Sequence, residues 1–454
     1  MKNNSEVDHL ALFRPRIPGR ISDHDRTDVK TEIIAGMTTF LAMMYIIVVN
    51  PSILSAAGMP FSGVLTATVL VTAFSSIAMG VYAHNPIAVA PGMGLNAFFA
   101  YSVVLGLGVR WETALGAVFW SGIVFILLSA FNVRNMIVGA IAKQLRYAIA
   151  AGIGLFIAFI GFANAKFVVG NPATLVGIAK MNPVVLTFLA GLIVTSILVV
   201  KRMKGAMVLG IAVTTLLAIP IGRWYGDASA INAGVPTLVT WKGVVSIPDF
   251  SVLFKLDLLG SLRLAMFPVI FSMLFTDMFD SLSTFIGVAE AADIVDENGE
   301  PRELKRSLIV DAISTTIAGL FGSSPGTAYI ESATGVEEGG RTGLTAVTAG
   351  VLFLPFMFFS PLLSVVPPIA TAPALVLVGA FMMKPVLKIN WTKFDDAFPA
   401  FFAMVLIPLT YSITQGIVWG FISWTLIKLA VGKRSEIGWM LLVIDAFSVL
   451  ALMV

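Results

Sequence analysis

Long apolar runs, one after another with charges only between them, constrain this chain more than any other feature. They lie near 31–54, 62–82, 94–106, 112–130, 147–164, 183–200 and 206–221. A second set lies near 261–289, 305–322, 329–337, 342–362, 371–384, 398–411 and 414–431. A run of about 18 apolar residues or more is long enough to span a bilayer. Only 12% of the 454 residues are charged and 57% are hydrophobic, whereas soluble domains carry about 25% charged residues. The expected fold is an all-α polytopic membrane protein of fourteen segments. The last apolar stretch, 435–454, reads as a fifteenth span or an interfacial helix. Residues 1–30 form a polar, Arg-rich tail with no short apolar region ahead of a cleavage site, so no signal peptide is expected. There is no cysteine, which excludes disulfides.

Positive charge orients the segments. With the N-terminus inside and the spans alternating, 22 of the 29 Lys and Arg residues fall on the inner side. That bias predicts a cytoplasmic N-terminus and an even number of spans. The polar stretch 222–258, expected outside, divides the chain into two sevens, 31–221 and 259–431, followed by the apolar stretch 432–454. Seven is odd, so the second half enters from the opposite side. This is the inverted-repeat arrangement common among secondary transporters.

Two segments are poor spans. HNPIAVAPGMGLN at 84–96 packs Pro86, Pro91, Gly92 and Gly94 into membrane depth. GSSPGTAYIESATGVEEGG at 322–340 has Pro325, Gly326 and Gly335 and is too polar to face lipid. Each is the third segment of its half. Irregular backbone inside a bilayer must be buried in protein or line a cavity, and matched interruptions of this kind mark a central binding site. Half-helices are expected to begin near Gly94 and near Glu331, presenting free N–H groups. An isolated glycine in the other spans reads as close helix packing.

Few ionisable side chains fall within spans. Asp277 and Asp280 lie in the eighth segment, Asp311 in the ninth and Glu331 in the second broken one. A carboxylate near mid-bilayer costs at least about 2.5–3.5 kcal/mol, so function is its default reading. Asp277, Asp280, Ser281 and Thr284 are spaced to share one helix face. With Glu331 and Asn96 they would form an acidic pocket suited to a ligand with several N–H donors. Low dielectric disfavours the charged carboxylate, so the same groups can take up and release a proton. Asp311 also suits a bridge between helices, and Asp280 a scaffold role. A metal is not expected, because His9, His24 and His84 all lie outside these segments. Nor is an enzyme: Asp277 and Asp280 share one helix and cannot meet as a dyad across two, and no HExxH, GxSxG or nucleotide-binding loop is present.

The strings AGMTTFLAMMYIIVVNP, APGMGLNAFFAY, FTDMFDSLSTFIGV and AYIESATGVEEGGRTGLTAV closely resemble purine permeases of the nucleobase–ascorbate transporter superfamily. The match is to the AzgA-like branch and runs from about Asp28 to Lys433. The resemblance implies a uracil-permease-like fold of fourteen segments in two inverted repeats. Its core segments would be 31–130 and 261–362, its gate segments 147–221 and 371–431, with short strands in segments 3 and 10. It implies import of a purine base (adenine, guanine or hypoxanthine) by proton symport across the cell membrane, with no cofactor and no nucleic acid, and it leaves a homodimer open. Substrate binding would fall to Asn96, Asp277 and Glu331, with Phe98 or Tyr329 stacking on the flat base. Coupling would fall to Asp280 and Asp311. Glu331 is expected to bind the base directly, Asp277 to face it, and Asp280 to hold the geometry or relay the proton. The rival readings are sodium coupling and another small solute on the same fold, such as uracil, xanthine or an anion. The acidic face argues against an anion.

Overall fold

A computed structural model of the chain describes residues 27–130, 142–227, 237–292, 294–295 and 301–453, together with Phe13. Most of the tail 1–30, most of the loop 134–146, half of the loop 296–305 and part of the stretch 222–258 lie outside those residues.

Hydrocarbon offers backbone polar groups no partner but one another, so each apolar run closes on itself as a helix. In the first half, α1 (Val29–Met43) and α2 (Ile46–Ala56) make one span broken at Met44 and Tyr45. Helix α3 (Phe61–Tyr82) leads to strand β1 (Val89–Pro91) and α4 (Met93–Ala97), which runs on as a π-helical stretch, Phe98–Gly106. Then come α5 (Trp111–Ala130), α6 (Lys143–Asn164), a hairpin of β2 (Val168–Asn171) and β3 (Leu175–Ile178), α7 (Pro183–Val200) and α8 (Ala206–Ala218). The second half holds α9 (Phe267–Ala292), α10 (Leu304–Phe321), strand β4 (Gly326–Ala328) and α11 (Ser332–Glu337). It continues with α12 (Gly343–Phe353), α13 (Ser360–Leu363), α14 (Pro368–Phe381), α15 (Phe394–Leu409) and α16 (Ile413–Ala430).

Among the described residues these elements give seven segments on each side of the connecting stretch. The boundaries shift by a few residues from those read off hydropathy. Helix α6 begins at Lys143 and not near 147, because Lys143, Gln144 and Arg146 are polar yet helical. The terminal stretch folds as α17 (Trp439–Met453), which packs against α16 and α9 with Leu441 and Ile444 buried.

The helices pack in two groups. Helix α10 lies against α5 and α3, α12 against α3 and α1, and α11 against α1 and α9. In the other group α6 lies against α14 and α15, α15 against α16, and α7 and α8 against each other and α14. Small residues permit these contacts. A Cβ on Gly80 would meet the backbone of Gly343 and lie 2.6 Å from Val347 Cγ2, and one on Gly154 would lie 2.7 Å from the Gly379 carbonyl.

Strands β1 and β4, one from each half, pair antiparallel with Val89 opposite Ala328, Ala90 opposite Thr327 and Pro91 opposite Gly326. A two-stranded sheet has two open edges, which inside a membrane need partners. Side-chain hydroxyls supply them. Ser76 Oγ accepts from the Val89 N–H and donates to the Val89 carbonyl, both at 3.0 Å. Ser332 Oγ accepts from the Ala88 N–H at 3.0 Å, and Ser281 Oγ from the Ala328 N–H at 3.3 Å. Thr315 donates to the Gly326 carbonyl at 3.0 Å.

Candidate functional site

The two half-helices begin where the sheet ends. Helix α4 starts after Gly92 and α11 after Glu331, each within a residue or two of the position the sequence indicated. Glu331 therefore stands at the N-terminal end of α11, with Thr334 Oγ1 donating to its carbonyl at 2.7 Å.

Tyr45 donates its phenol hydrogen to Glu331 Oε1 at 2.6 Å. The tyrosine is 1% exposed and sits in the break between α1 and α2, 286 residues away in sequence. One carboxylate oxygen is thus occupied. Among the described residues no hydrogen bond reaches Oε2. Tyr329 is buried, and its phenol donates to the Pro91 carbonyl at 2.6 Å, which ties segment 10 to the end of β1. Asn96, fully buried, accepts at Oδ1 from Ser324 just ahead of β4. Phe98 is 1% exposed, within the apolar core.

The two aspartates of α9 occupy different surroundings. Asp280 and Glu331 each keep partial exposure, and Glu331 is the charge that acts on Asp280. A hydroxyl chain reaches Asp280 from the sheet. Ser281 accepts from the Ala328 N–H, which leaves its own hydrogen for Thr327 Oγ1 at 2.6 Å. Thr327 in turn faces Asp280 Oδ2 at 3.5 Å. Asp277 is 1% exposed and lies 2.5 Å from Thr315 Oγ1, with Asp311 the first charge acting on it. The sequence reading set Asp277 opposite Glu331 and Asp280 one turn further off. In the structure Asp280 is the residue beside Glu331, while Asp277 is withdrawn toward Asp311. One turn of helix suffices for the exchange, because residues three apart differ by about 60° in facing.

Sequence reasoning passed over Tyr45, Thr315 and Thr327. Thr315 follows Asp311 by four, the spacing of one helix face, and that signal was available. Tyr45 lies inside an apolar run whose break no residue type announces.

The arrangement is two half-helices meeting at a strand pair, with carboxylates and hydroxyls gathered around it. The Xan_ur_permease model, described as Permease family, matches residues 30–419. The chain belongs to this family, on its AzgA-like branch. The permease is similar to the adenine permease AdeQ of Escherichia coli (strain K12), 43% identical over 423 residues and covering 92% of each chain. It is also similar to the guanine/hypoxanthine permease PbuO of Bacillus subtilis (strain 168), 42% identical over 417 residues, 91% of this chain and 94% of that one. Among solved structures, the transmembrane domain of a cyanobacterium bicarbonate transporter, BicA, matches with a TM-score of 0.62 over 89% of this chain and 99% of that one. Sequence identity there is 14%, so the likeness is one of fold. The fold is the seven-plus-seven inverted repeat. The permease is a multi-pass membrane transporter and not an enzyme.

Proposed function

We propose that the permease imports purine nucleobases into the cell together with protons. The observation that carries this reading is the pair of partly exposed carboxylates, Glu331 and Asp280, where the second broken segment begins. Two acceptors side by side suit a flat ring edged with N–H donors and repel anions. Relatives named adenine permease and guanine/hypoxanthine permease, at 43% and 42% identity, point to the same class of ligand.

Glu331 and Asp280 hold the base, Tyr329 or Phe98 stacks on its face, and Asn96 helps fix the half-helix that faces it. Asp277 and Asp311 carry the coupling proton, since a buried carboxyl can exchange one with little rearrangement. Segments 1–4 and 8–11 form a core that holds the site, and segments 5–7 and 12–14 form a gate against which it moves. The N-terminus is cytoplasmic and the membrane is the cell's inner or plasma membrane.

Uptake of radiolabelled adenine, guanine, hypoxanthine, xanthine and uracil, in a strain lacking its own permeases, tests the reading. Saturable purine-base uptake that a protonophore collapses is expected. Uptake that follows sodium at fixed pH, or of a nucleoside with no purine base, would refute it. Orientation is tested with an impermeant thiol reagent on intact spheroplasts. A Gly243→Cys variant should label and Asn298→Cys should not.

A further inference from the structure

Strand β4 has two carbonyls that β1 cannot serve, those of Gly326 and Ala328, and the first faces α10. The Gly92 N–H bonds the Pro325 carbonyl at 2.9 Å, and the Tyr329 N–H bonds the Ala88 carbonyl at 3.0 Å. Bonded and non-bonded pairs alternate along an antiparallel ladder. The Pro91–Gly326 pair is therefore a non-bonded one, and the Gly326 carbonyl points away from β1. It points at Thr315 Oγ1 of α10, 3.0 Å away. The same hydroxyl lies 2.5 Å from Asp277 Oδ2 on α9.

A threonine hydroxyl has one hydrogen to give. When Asp277 is ionised, the hydrogen goes to the carboxylate and the Gly326 carbonyl is left without it. When Asp277 is protonated, Asp277 donates to Thr315 and Thr315 donates to Gly326, so both acceptors are served. Asp277 Oδ1 is buried and, among the described residues, has no hydrogen-bond partner, so the ionised form depends on Thr315 for its charge-assisted bond. An unserved buried carbonyl costs on the order of 1–3 kcal/mol, enough to shift a three-residue strand.

The geometry points to Thr315 as the residue that couples the proton on Asp277 to the position of β4, and through β4 to the base. Gly326 stands five residues before Glu331, so movement of the strand is movement of the ligand carboxylate. Proton on Asp277 fixes β4 in its binding position; proton loss frees it. Thr315 touches no ligand and acts as a positioning residue. The inference rests on the proton-symport reading above. Asp311 on α10 and Asp280 on α9 itself are the charges acting on Asp277, and Glu331, ahead of α11, acts on Asp280. The other helices packed on α9 bring Glu112 (α5), Lys143 and Arg146 (α6), Lys428 (α16) and Asp445 (α17).

The test uses the purified permease in proteoliposomes with a pH dye trapped inside, reading radiolabelled base uptake and proton entry together. Thr315→Val removes the hydroxyl and keeps the bulk; Thr315→Ser keeps the hydroxyl. The Thr315→Val variant, whose Gly326 carbonyl is unserved at every pH, should bind base about tenfold more weakly than the parent, and its binding and uptake should no longer vary with pH or carry a proton. Thr315→Ser should restore both. Asp277→Asn, whose amide can donate permanently to Thr315, should also lose its pH dependence but keep the affinity of the protonated parent, and the double variant should behave as Thr315→Val alone. A Thr315→Val variant with the parent's pH profile and proton entry overturns the inference alone. So does a Thr315→Ser variant as impaired as Thr315→Val while both bind base, or a double variant that binds base differently from Thr315→Val. A parent that moves base with no proton overturns the symport reading, and the inference with it.

Discussion

The two groups of helices differ in whether their hydroxyls also reach from one element to another. Around the strand pair, hydroxyls and amides cross between elements. Ser75 donates to Ser314 at 2.7 Å, Asn50 to Thr68 at 2.7 Å and to Ser323 at 3.1 Å, and Thr315 bridges Asp277 and Gly326. In α7 and α8, Thr187, Thr195, Ser196, Thr214 and Thr215 each donate to the carbonyl four residues back in their own helix. A hydroxyl in hydrocarbon needs a partner, and the partner it takes decides what it does. Bonds between elements fix their register; bonds within a helix leave it free to slide on its neighbours. The first group is knitted into one body that holds the site. The second is held by the close approach of glycines and threonines, Gly191 to Thr214 and Gly210 to Thr195.

The largest break in this contrast should come from Gly343→Val. A side chain there would enter the backbone of Gly80, forcing α12 from α3 inside the knitted body. A loss of about 3 kcal/mol is expected, read as a fall in melting temperature in detergent with little folded protein recovered. Next, Asn50→Leu strips the donor from Thr68 and Ser323 and should cost about 2 kcal/mol. A smaller effect, confined to binding, is expected of Tyr45→Phe. Glu331 Oε1 loses its donor, and base affinity should fall about tenfold, or about 1.4 kcal/mol, at an unchanged melting temperature. Smallest of all, Ser196→Ala removes a hydroxyl bonded to its own helix at Leu192. Stability should change by less than about 0.5 kcal/mol, and uptake should match the parent. A Ser196→Ala variant as damaged as Asn50→Leu would erase the contrast.

Much of this was legible in the sequence because a bilayer permits few structures. Hydropathy marked the spans, and Pro91 with Gly92, and Pro325 with Gly326, marked the two places where helix fails. The acidic spans marked the candidate site, since Asp277, Asp280, Asp311 and Glu331 stand out against an apolar ground. Contacts between distant segments were not legible. Tyr45 and Glu331 meet across 286 residues, and no spacing encodes that. Nor was the order of the two aspartates, because 277 and 280 share a helix face and only the packing of α10 and α11 decides which turns to Glu331. The hydroxyls that close the sheet edges could be read only once the register of β1 on β4 was known.

Direct binding of a purine base to the purified permease, parent beside Glu331→Gln, tests the central claim most directly. Glutamine keeps the oxygen to which Tyr45 donates and removes only the charge, so the fold and the melting temperature should be preserved. Charge-assisted bonds are worth about 1.5–3 kcal/mol. Adenine, guanine or hypoxanthine, whichever the parent binds, should therefore bind the variant about tenfold to a hundredfold more weakly. Binding as tight as the parent's, with transport intact, would contradict the account and place the ligand away from Glu331.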